Sequence, residues 1–504
     1  MFKPRKTIKQ NHPKQLPPPI AGLNALIALM GMPPNYAVIL ENFFPQPDGL
    51  QTREGYISHV TGFGANVERL HNYSSSMGVE SLWATTATGV YNATVAGAVG
   101  PAAIALTNGR TISTIIASGA GTYLMMVNGT DTLKRFDGTT WASIAAFGTA
   151  SDQYSYVETY RQRLFFAKKN SLEIEYLAAN SIAGTATNYP LGAIFRRGGY
   201  IVSIATWTVD GGVGPEDNLT VMTSSGEVAV FAGNDPATWT LAGVYYIGKP
   251  LGDMPCFKYG GDLLLLTETG LYSMAMALQS MSIDRRSTVT QNVKPLITYA
   301  AQSASNGVGW QVISNPLAPY LLINLPISPI RKQLVMHAQT GAWAFFSGYD
   351  ARCFGRFGAD MYFGTANAVY RIGGTADNGT DIVATMIQAP SKMDYDRNTR
   401  IELIKPHFNA SGGFTITMGV ASDFTSFPDY TSSSGFLSSI SGAVWGTGLW
   451  GSSVWTASVQ NTSEWRVIPD RHSQWKGLFL QVSGKISRVK YIGSTILYST
   501  GGNF

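Results

Sequence analysis

Charge is what this chain has least of. Only 13% of its 504 residues are Asp, Glu, Lys or Arg, about half the usual share. Five of the 36 basic side chains (Lys3, Arg5, Lys6, Lys9 and Lys14) fall in the first 40 residues, which hold no Asp or Glu. The other 31 match the 31 acidic side chains, so the net charge of +5 belongs to the N-terminal arm and the body is formally neutral. A neutral body excludes a protein that grips nucleic acid, because affinity grows with each phosphate neutralised. Cysteine is nearly absent too. Cys256 and Cys353 lie far apart, outside any metal-ligand spacing, and read as small buried apolar residues of a chain made in a reducing compartment. The apolar stretch 20–32 is 13 residues long and stops at Pro33-Pro34, too short to span a bilayer. Behind a 19-residue polar, Pro-rich arm it makes a poor signal peptide, and no membrane anchor is expected.

Catalytic signatures are missing as well. The six histidines (His12, His59, His71, His337, His407 and His472) are scattered, with no His-x-x-x-His pair for zinc. There is no phosphate-binding Gly-rich lysine loop and no Gly-x-Ser-x-Gly elbow. A glycosidase needs paired carboxylates, and the acids of this chain form no recognisable constellation. Phe136-Asp-Gly-Thr-Thr-Trp141 has a faint likeness to the Asp-box turn of sialidases, but a turn closed by a packed Trp explains it. Asp210, Glu216 and Asp217 crowd one loop without the spacing of a calcium motif. We therefore expect no enzyme: no catalytic residue, no cofactor and no metal.

What the chain does have is glycine, 54 residues of it, and a repeated unit. The unit is an apolar run, a tight polar turn and a second apolar or aromatic run. It reads Leu82-Trp-Ala-Thr-Thr-Ala-Thr-Gly-Val-Tyr91, Leu219-Thr-Val-Met-Thr-Ser-Ser-Gly-Glu-Val228 and Leu263-Leu-Leu-Leu-Thr-Glu-Thr-Gly-Leu-Tyr272, with a looser copy at Met361-Tyr-Phe-Gly-Thr-Ala-Asn-Ala-Val-Tyr370. Less regular relatives span residues 123–136, 163–176 and 320–335. The four clear turns start at Thr86, Thr223, Thr267 and Thr365, separated by 137, 44 and 98 residues, close to three, one and two steps of about 46. Hairpins at that period point to an all-β chain built on a six- or seven-bladed β-propeller, in which radial packing buries blade faces and protects edges. An all-β sandwich with chance hairpins is the alternative.

Residues 1–19 read as a basic, Pro-rich extended arm, either disordered or strapped onto a neighbour through Lys3, Arg5, Lys6, Lys9 and Lys14. Residues 20–57 read as a lead-in packing on the body or on a neighbour, residues 58–379 as the propeller, and residues 380–504 as a C-terminal β-sandwich-like domain with longer alternating strands. Trp445, Trp450 and Trp455 recur every five residues there, as anchors either of an interface or of that domain's core. A large body with so little charge fits an oligomer, whose interfaces cover apolar surface.

The lead-in, with Gly22-Leu-Asn24, Met32-Pro-Pro34, Glu41-Asn-Phe-Phe-Pro45 and Arg53-Glu-Gly-Tyr56, resembles the start of the tail nozzle proteins of short-tailed, podovirus-type phages. This family is also called tail tubular protein B or packaged-DNA stabilisation protein. The similarity continues through Arg163-Leu-Phe-Phe166, Gly198-Gly-Tyr200, Trp207-Thr-Val-Asp-Gly-Gly212, Thr223-Ser-Ser-Gly-Glu-Val-Ala-Val230, Gly233-Asn-Asp-Pro236, Gly248-Lys-Pro-Leu-Gly252 and Gly260-Gly-Asp-Leu263. It ends with Thr340-Gly-Ala-Trp343, Phe363-Gly-Thr365, Asp377-Asn-Gly379 and the Trp series, so it spans residues 20–504 in order. The resemblance implies a structural virion protein: a homohexameric ring at the distal end of a short tail, below an adaptor ring. Such a ring closes the DNA channel and guides genome ejection. Its further partners would be tail fibre, spike or needle proteins, with double-stranded DNA passing through without specific binding. It would be assembled in the bacterial cytoplasm and reside in the virion. The reading from a different class is a propeller lectin or glycosidase acting on host-surface glycans at a central pocket.

Overall fold

The computed structural model describes residues 12–210, 215–280, 288–304, 308–327, 329, 331–394, 397–410, 413–425, 431–437, 460–485 and 489–501. The chain divides into two compact units: Ser58–Gln333 with Tyr349–Ile372, and the described parts of Met1–Ile57, Leu334–Gly348 and Gly373–Phe504.

The larger unit is the propeller. Four sheets of four antiparallel strands follow one another: blade 1 over residues 69–105, blade 2 over 112–144, blade 3 over 154–190 and blade 4 over 201–246. Blade 5 has three strands (Cys256–Tyr259, Asp262–Thr267, Gly270–Ser273), followed by the helices Met274–Ser280 and Lys294–Ser303. The hairpin Gln311–Ser314/Tyr320–Leu325 is the sixth position. In the seventh, Cys353–Phe357, Asp360–Gly364 and Ala368–Ile372 are joined by Tyr56–Thr61, the strand that leads into the unit. That strand closes the circle, because the last sheet is completed by the beginning of the unit rather than by its end. Seven sheet positions result, within the expected six or seven.

The circuit is filled by aromatic and aliphatic side chains. Tyr73, Trp83, Val90, Leu124 and Phe136 pack blade 1 on blade 2, and a larger cluster including Phe165, Phe166, Ile204, Val221 and Phe231 joins blades 2, 3 and 4. Val60, Val67, Leu70 and Val369 join blade 7 to blade 1. Gln311 joins the sixth and seventh positions by two bonds, donating to the Phe354 carbonyl at 2.9 Å and accepting from its N–H at 2.7 Å.

The repeated turns take the places their spacing implies. Thr86, Thr223, Thr267 and Thr365 sit in blades 1, 4, 5 and 7, which are three, one and two steps apart. Threonine starts the turn for a local reason: its hydroxyl bonds backbone groups that the ladder cannot satisfy. Thr86 Oγ1 accepts from the Thr88 N–H at 3.1 Å and Thr267 Oγ1 from the Thr269 N–H at 3.3 Å. Thr365 instead donates to the Ala368 carbonyl at 3.1 Å.

The smaller unit has two sheets. One contains Phe43–Gln46, Gly49–Thr52, Thr399–Ala410 and Lys490–Thr500; the other contains Tyr36–Glu41, Ile382–Gln388, Phe414–Ser422 and Trp475–Gly484. Phe408 of the first meets Phe414 of the second edge-to-face at 5.0 Å, and Phe44 meets Phe346 at 6.1 Å. Burial alternates along Thr399–Ala410, as in a sandwich strand, and slips one step where the ladder shifts register between Ile401 and Leu403. The lead-in is not a separate piece here: Tyr36–Glu41 pairs with Ile382–Gln388, and Gly49–Thr52 with Lys490–Thr500. Among the described residues no helix is long and apolar enough to cross a membrane.

Candidate functional site

Two places concentrate polar side chains: a set of joints between distant motifs, and the hub of the propeller. In the smaller unit Arg53 is the chief joint. Its guanidinium makes a two-pronged bond to Asp377 at 2.8 and 2.6 Å, its Nε donates to Asn42 Oδ1 at 2.8 Å, and it also reaches the Ser347 carbonyl. Three motifs far apart in sequence thus converge on one buried cation, and such a fork-to-fork pair fixes orientation as well as charge. Gly22 forms a second joint. It adopts φ +80°, and a Cβ there would sit 2.6 Å from both the N and O of Trp343, so only glycine lets these strands meet. In the propeller, Arg163 pairs with Asp235 at 2.6 Å, and Tyr160 donates to the Gly233 carbonyl at 2.8 Å. A Cβ on Gly226 would collide with the Gly248 carbonyl. The Arg53–Asp377, Gly22–Trp343, Arg163–Asp235 and Gly226–Gly248 joints each link one sequence motif to another.

The hub is built from the first strand of each blade and the residues just before it. Arg69 opens the first strand of blade 1 and pairs with Asp253, which precedes the first strand of blade 5. These blades are not neighbours, so the tie runs across the axis. Around it lie Glu68 near Arg352 at 3.9 Å, Glu158 near Lys258 at 3.9 Å, and Arg356, which donates to Ser314 Oγ. Burial raises the Glu158 carboxyl to about 7, against a smaller opposing pull from Lys258. Burial also pushes the thiols of Cys256 and Cys353 up to about 12, so neither is a nucleophile near neutral pH. His71 is held neutral, its pKa lowered to about 3 by burial and by Arg69, with its ring nitrogens 2.7 Å from Thr111 Oγ1 and Ser113 Oγ.

At the mouth of this hub is a cavity of about 330 Å³. Its wall includes Arg110, Tyr200, Lys249 and Asp253 from the approaches to blades 2, 4 and 5, Ser155 from the first strand of blade 3, and Ser224 from a turn of blade 4. Asp253 is the single carboxylate among the lining residues. A glycosidase uses a pair of them.

No family model and no curated protein matches the chain. Solved structures do resemble it. BBS1N, in its complex with ARL6DN, is 11% identical with a TM-score of 0.39, covering 65% of this chain and 99% of its own. The computationally designed Ika8 protein is 8% identical with a TM-score of 0.36, covering 63% and 99%. YCF48 from Cyanidioschyzon merolae is 12% identical with a TM-score of 0.34, covering 66% and 97%. At these values the likenesses carry no argument, and the propeller rests on its own sheet order.

The residues singled out from sequence are distributed unevenly. Lys3, Arg5, Lys6 and Lys9, and Trp445, Trp450 and Trp455, lie outside the described residues. Lys14 belongs to His12–Leu16, a strand on Lys490–Thr500, and its Nζ donates to the Lys392 and Met393 carbonyls at 2.8 and 3.3 Å. This part of the arm is therefore a strand of its own unit, which the two expected states did not include. Asp217 accepts from Thr208 Oγ1 at 2.7 Å within a hairpin ladder, and no metal-ligand cluster occurs among the described residues. Asp137 caps its turn by accepting from the N–H groups of Thr139 and Thr140 at 2.8 and 2.7 Å, while Trp141 stacks on Phe136 at 5.1 Å. Cys353 is buried as expected, whereas Cys256 is half-buried. Sequence reasoning missed the hub and its cavity, whose residues come singly from separate blades and leave no local pattern.

Proposed function

We propose that this chain is a structural virion protein, the ring-forming nozzle at the distal end of a short phage tail, and not an enzyme. The observation that carries the reading is the pairing of motif with motif. Gly22 meets Trp343, Arg53 gathers Asn42 and Asp377, and Arg163 holds Asp235. Residues behind the resemblance act as joints of a scaffold, as a load-transmitting subunit requires. The tie between Arg69 and Asp253 adds a constraint: it spans the propeller's own hub. A DNA conduit would then run between copies, around the axis of a homohexamer docked on an adaptor ring. The neutral body suits such a conduit, because a strongly basic wall would retain DNA at many phosphates.

Particle mass tests this. The purified chain, alone or mixed with the adaptor, is expected to give a species of six copies of 54.2 kDa. A monomer under both conditions removes the ring reading. One observation favours a second reading, a lectin for host-surface glycans: the cavity at the hub mouth, with an aromatic ring, hydroxyls and a carboxylate in its wall. Binding of any saccharide at that cavity supports it.

A further inference from the structure

We propose that the hub-mouth cavity binds a sugar acid, a saccharide unit carrying one carboxylate. The inference rests on the lectin reading and deepens it. The size of the cavity, about 330 Å³, falls at the lower end of small-molecule sites. Its wall offers two kinds of group that a sugar ring uses. Tyr200 is 45% exposed and presents an aromatic surface for the apolar face of a pyranose. Asp253 bonds Arg69 through Oδ1, and among the described residues no donor takes Oδ2, which leaves an acceptor for ring hydroxyls. Ser155 Oγ donates to the Ala167 carbonyl at 3.4 Å and keeps acceptor capacity, while Ser224 Oγ accepts from the Tyr200 N–H at 3.1 Å and keeps its own hydrogen to donate.

The charge balance sets the ligand's sign. Lys249 is matched by Glu268 at 3.0 Å, and Asp253 by Arg69. Arg110 is exposed, and among the described residues no acid pairs with it. The wall therefore carries one uncompensated positive charge, suited to a carboxylate met by a planar guanidinium. The loop before Tyr200 is fixed by Glu227, which is buried and accepts from the backbone N–H groups of Arg196 and Arg197 at 3.1 and 2.8 Å. A bare phosphate fits less well, because the Asp253 carboxylate repels a dianion but accepts the hydroxyl hydrogens of a polyol.

The test is calorimetric titration of the full chain with glucuronate, glucose and inorganic phosphate. Glucuronate is expected to bind about ten-fold more tightly than glucose. Arg110→Ala should abolish that preference and Tyr200→Ala should weaken both sugars, each with an unchanged melting temperature. Equal binding of glucose and glucuronate overturns the sugar-acid inference and leaves the lectin reading standing. Phosphate binding as tightly as glucuronate overturns the inference in favour of a simple anion site. Absence of all saccharide binding removes both this inference and the lectin reading, without bearing on the ring.

Discussion

The two units solve the same problem, a large all-β core, from opposite ends of the chain. The propeller is local: sheets 2 to 4 are runs of consecutive hairpins, blade 1 departs only by the short strand Gly97–Ala98, and distant pairing is confined to the closing strand Tyr56–Thr61. The smaller unit is non-local: Tyr36–Glu41 pairs with Ile382–Gln388, and Arg53 bonds a carboxylate 324 residues away. The propeller can afford generic apolar contacts because turn chemistry already sets its register. The smaller unit brings remote segments together and relies on a few highly specific polar joints. Local order is redundant, and non-local order hangs on single residues.

That contrast can be broken by substitution. Arg53→Met strands Asp377 beside an apolar side chain and should cost about 3–5 kcal/mol, confined to the smaller unit. Hydrogen exchange read by mass spectrometry checks this: protection should fall in residues 382–388 and 399–410 and stay constant in blades 2–4. Equal loss in both units would show that they unfold together and would erase the distinction. Phe165, fully buried among Tyr176 and Trp239, is the counterpart. Phe165→Ala should cost about 3–4 kcal/mol, with lost protection spreading over blades 3 and 4 only.

Smaller effects sharpen the comparison. Thr267→Val removes the hydroxyl that serves the Thr269 N–H and the Gly270 carbonyl, for about 1 kcal/mol. Thr86→Val in blade 1 should cost a similar amount, and the double variant the sum, as denaturant midpoints would show. A dependence on pH completes the set. Glu158 keeps its proton in the folded hub up to about 7, while an unfolded glutamate loses it near about 4.3. Stability from this group is therefore full at low pH and falls as pH rises between those values. His71, held down to about 3 in the fold, acts oppositely, since an unfolded histidine takes up a proton below about 6.5 and so destabilises the fold as pH falls. Melting temperatures of Glu158→Gln between pH 4 and 7 should gain steepness in their rise with pH, because the opposing Glu158 contribution is gone while that of His71 remains.

The sequence made the propeller legible because its information is local. Thr86, Thr223, Thr267 and Thr365 mark turns whose hydroxyl bonds stay within a few residues, and such bonds leave a periodic trace. The turn at Asp137 and its stacked Trp141 could be read in the same way. The joints could not, because nothing near Arg53 names Asp377 as its partner. Nor could the cavity, since Arg110, Tyr200 and Asp253 come singly from separate blades. The helices Met274–Ser280 and Lys294–Ser303 were also unforeseen, and they interrupt blade 5 where the hairpin period would ask for another strand.

The closing strand has a consequence for synthesis. Tyr56–Thr61 leaves the ribosome more than 300 residues before its neighbour Ala368–Ile372. Until then the circle stays open, and blade 7 has no place to form. The smaller unit waits longer still, because Gly49–Thr52 pairs with Lys490–Thr500. A chain ended before residue 368 can therefore complete neither unit, and one ended between residues 372 and 490 still lacks the smaller one. The fold thereby checks its own length, and incomplete copies would lack the finished surfaces that any assembly has to recognise.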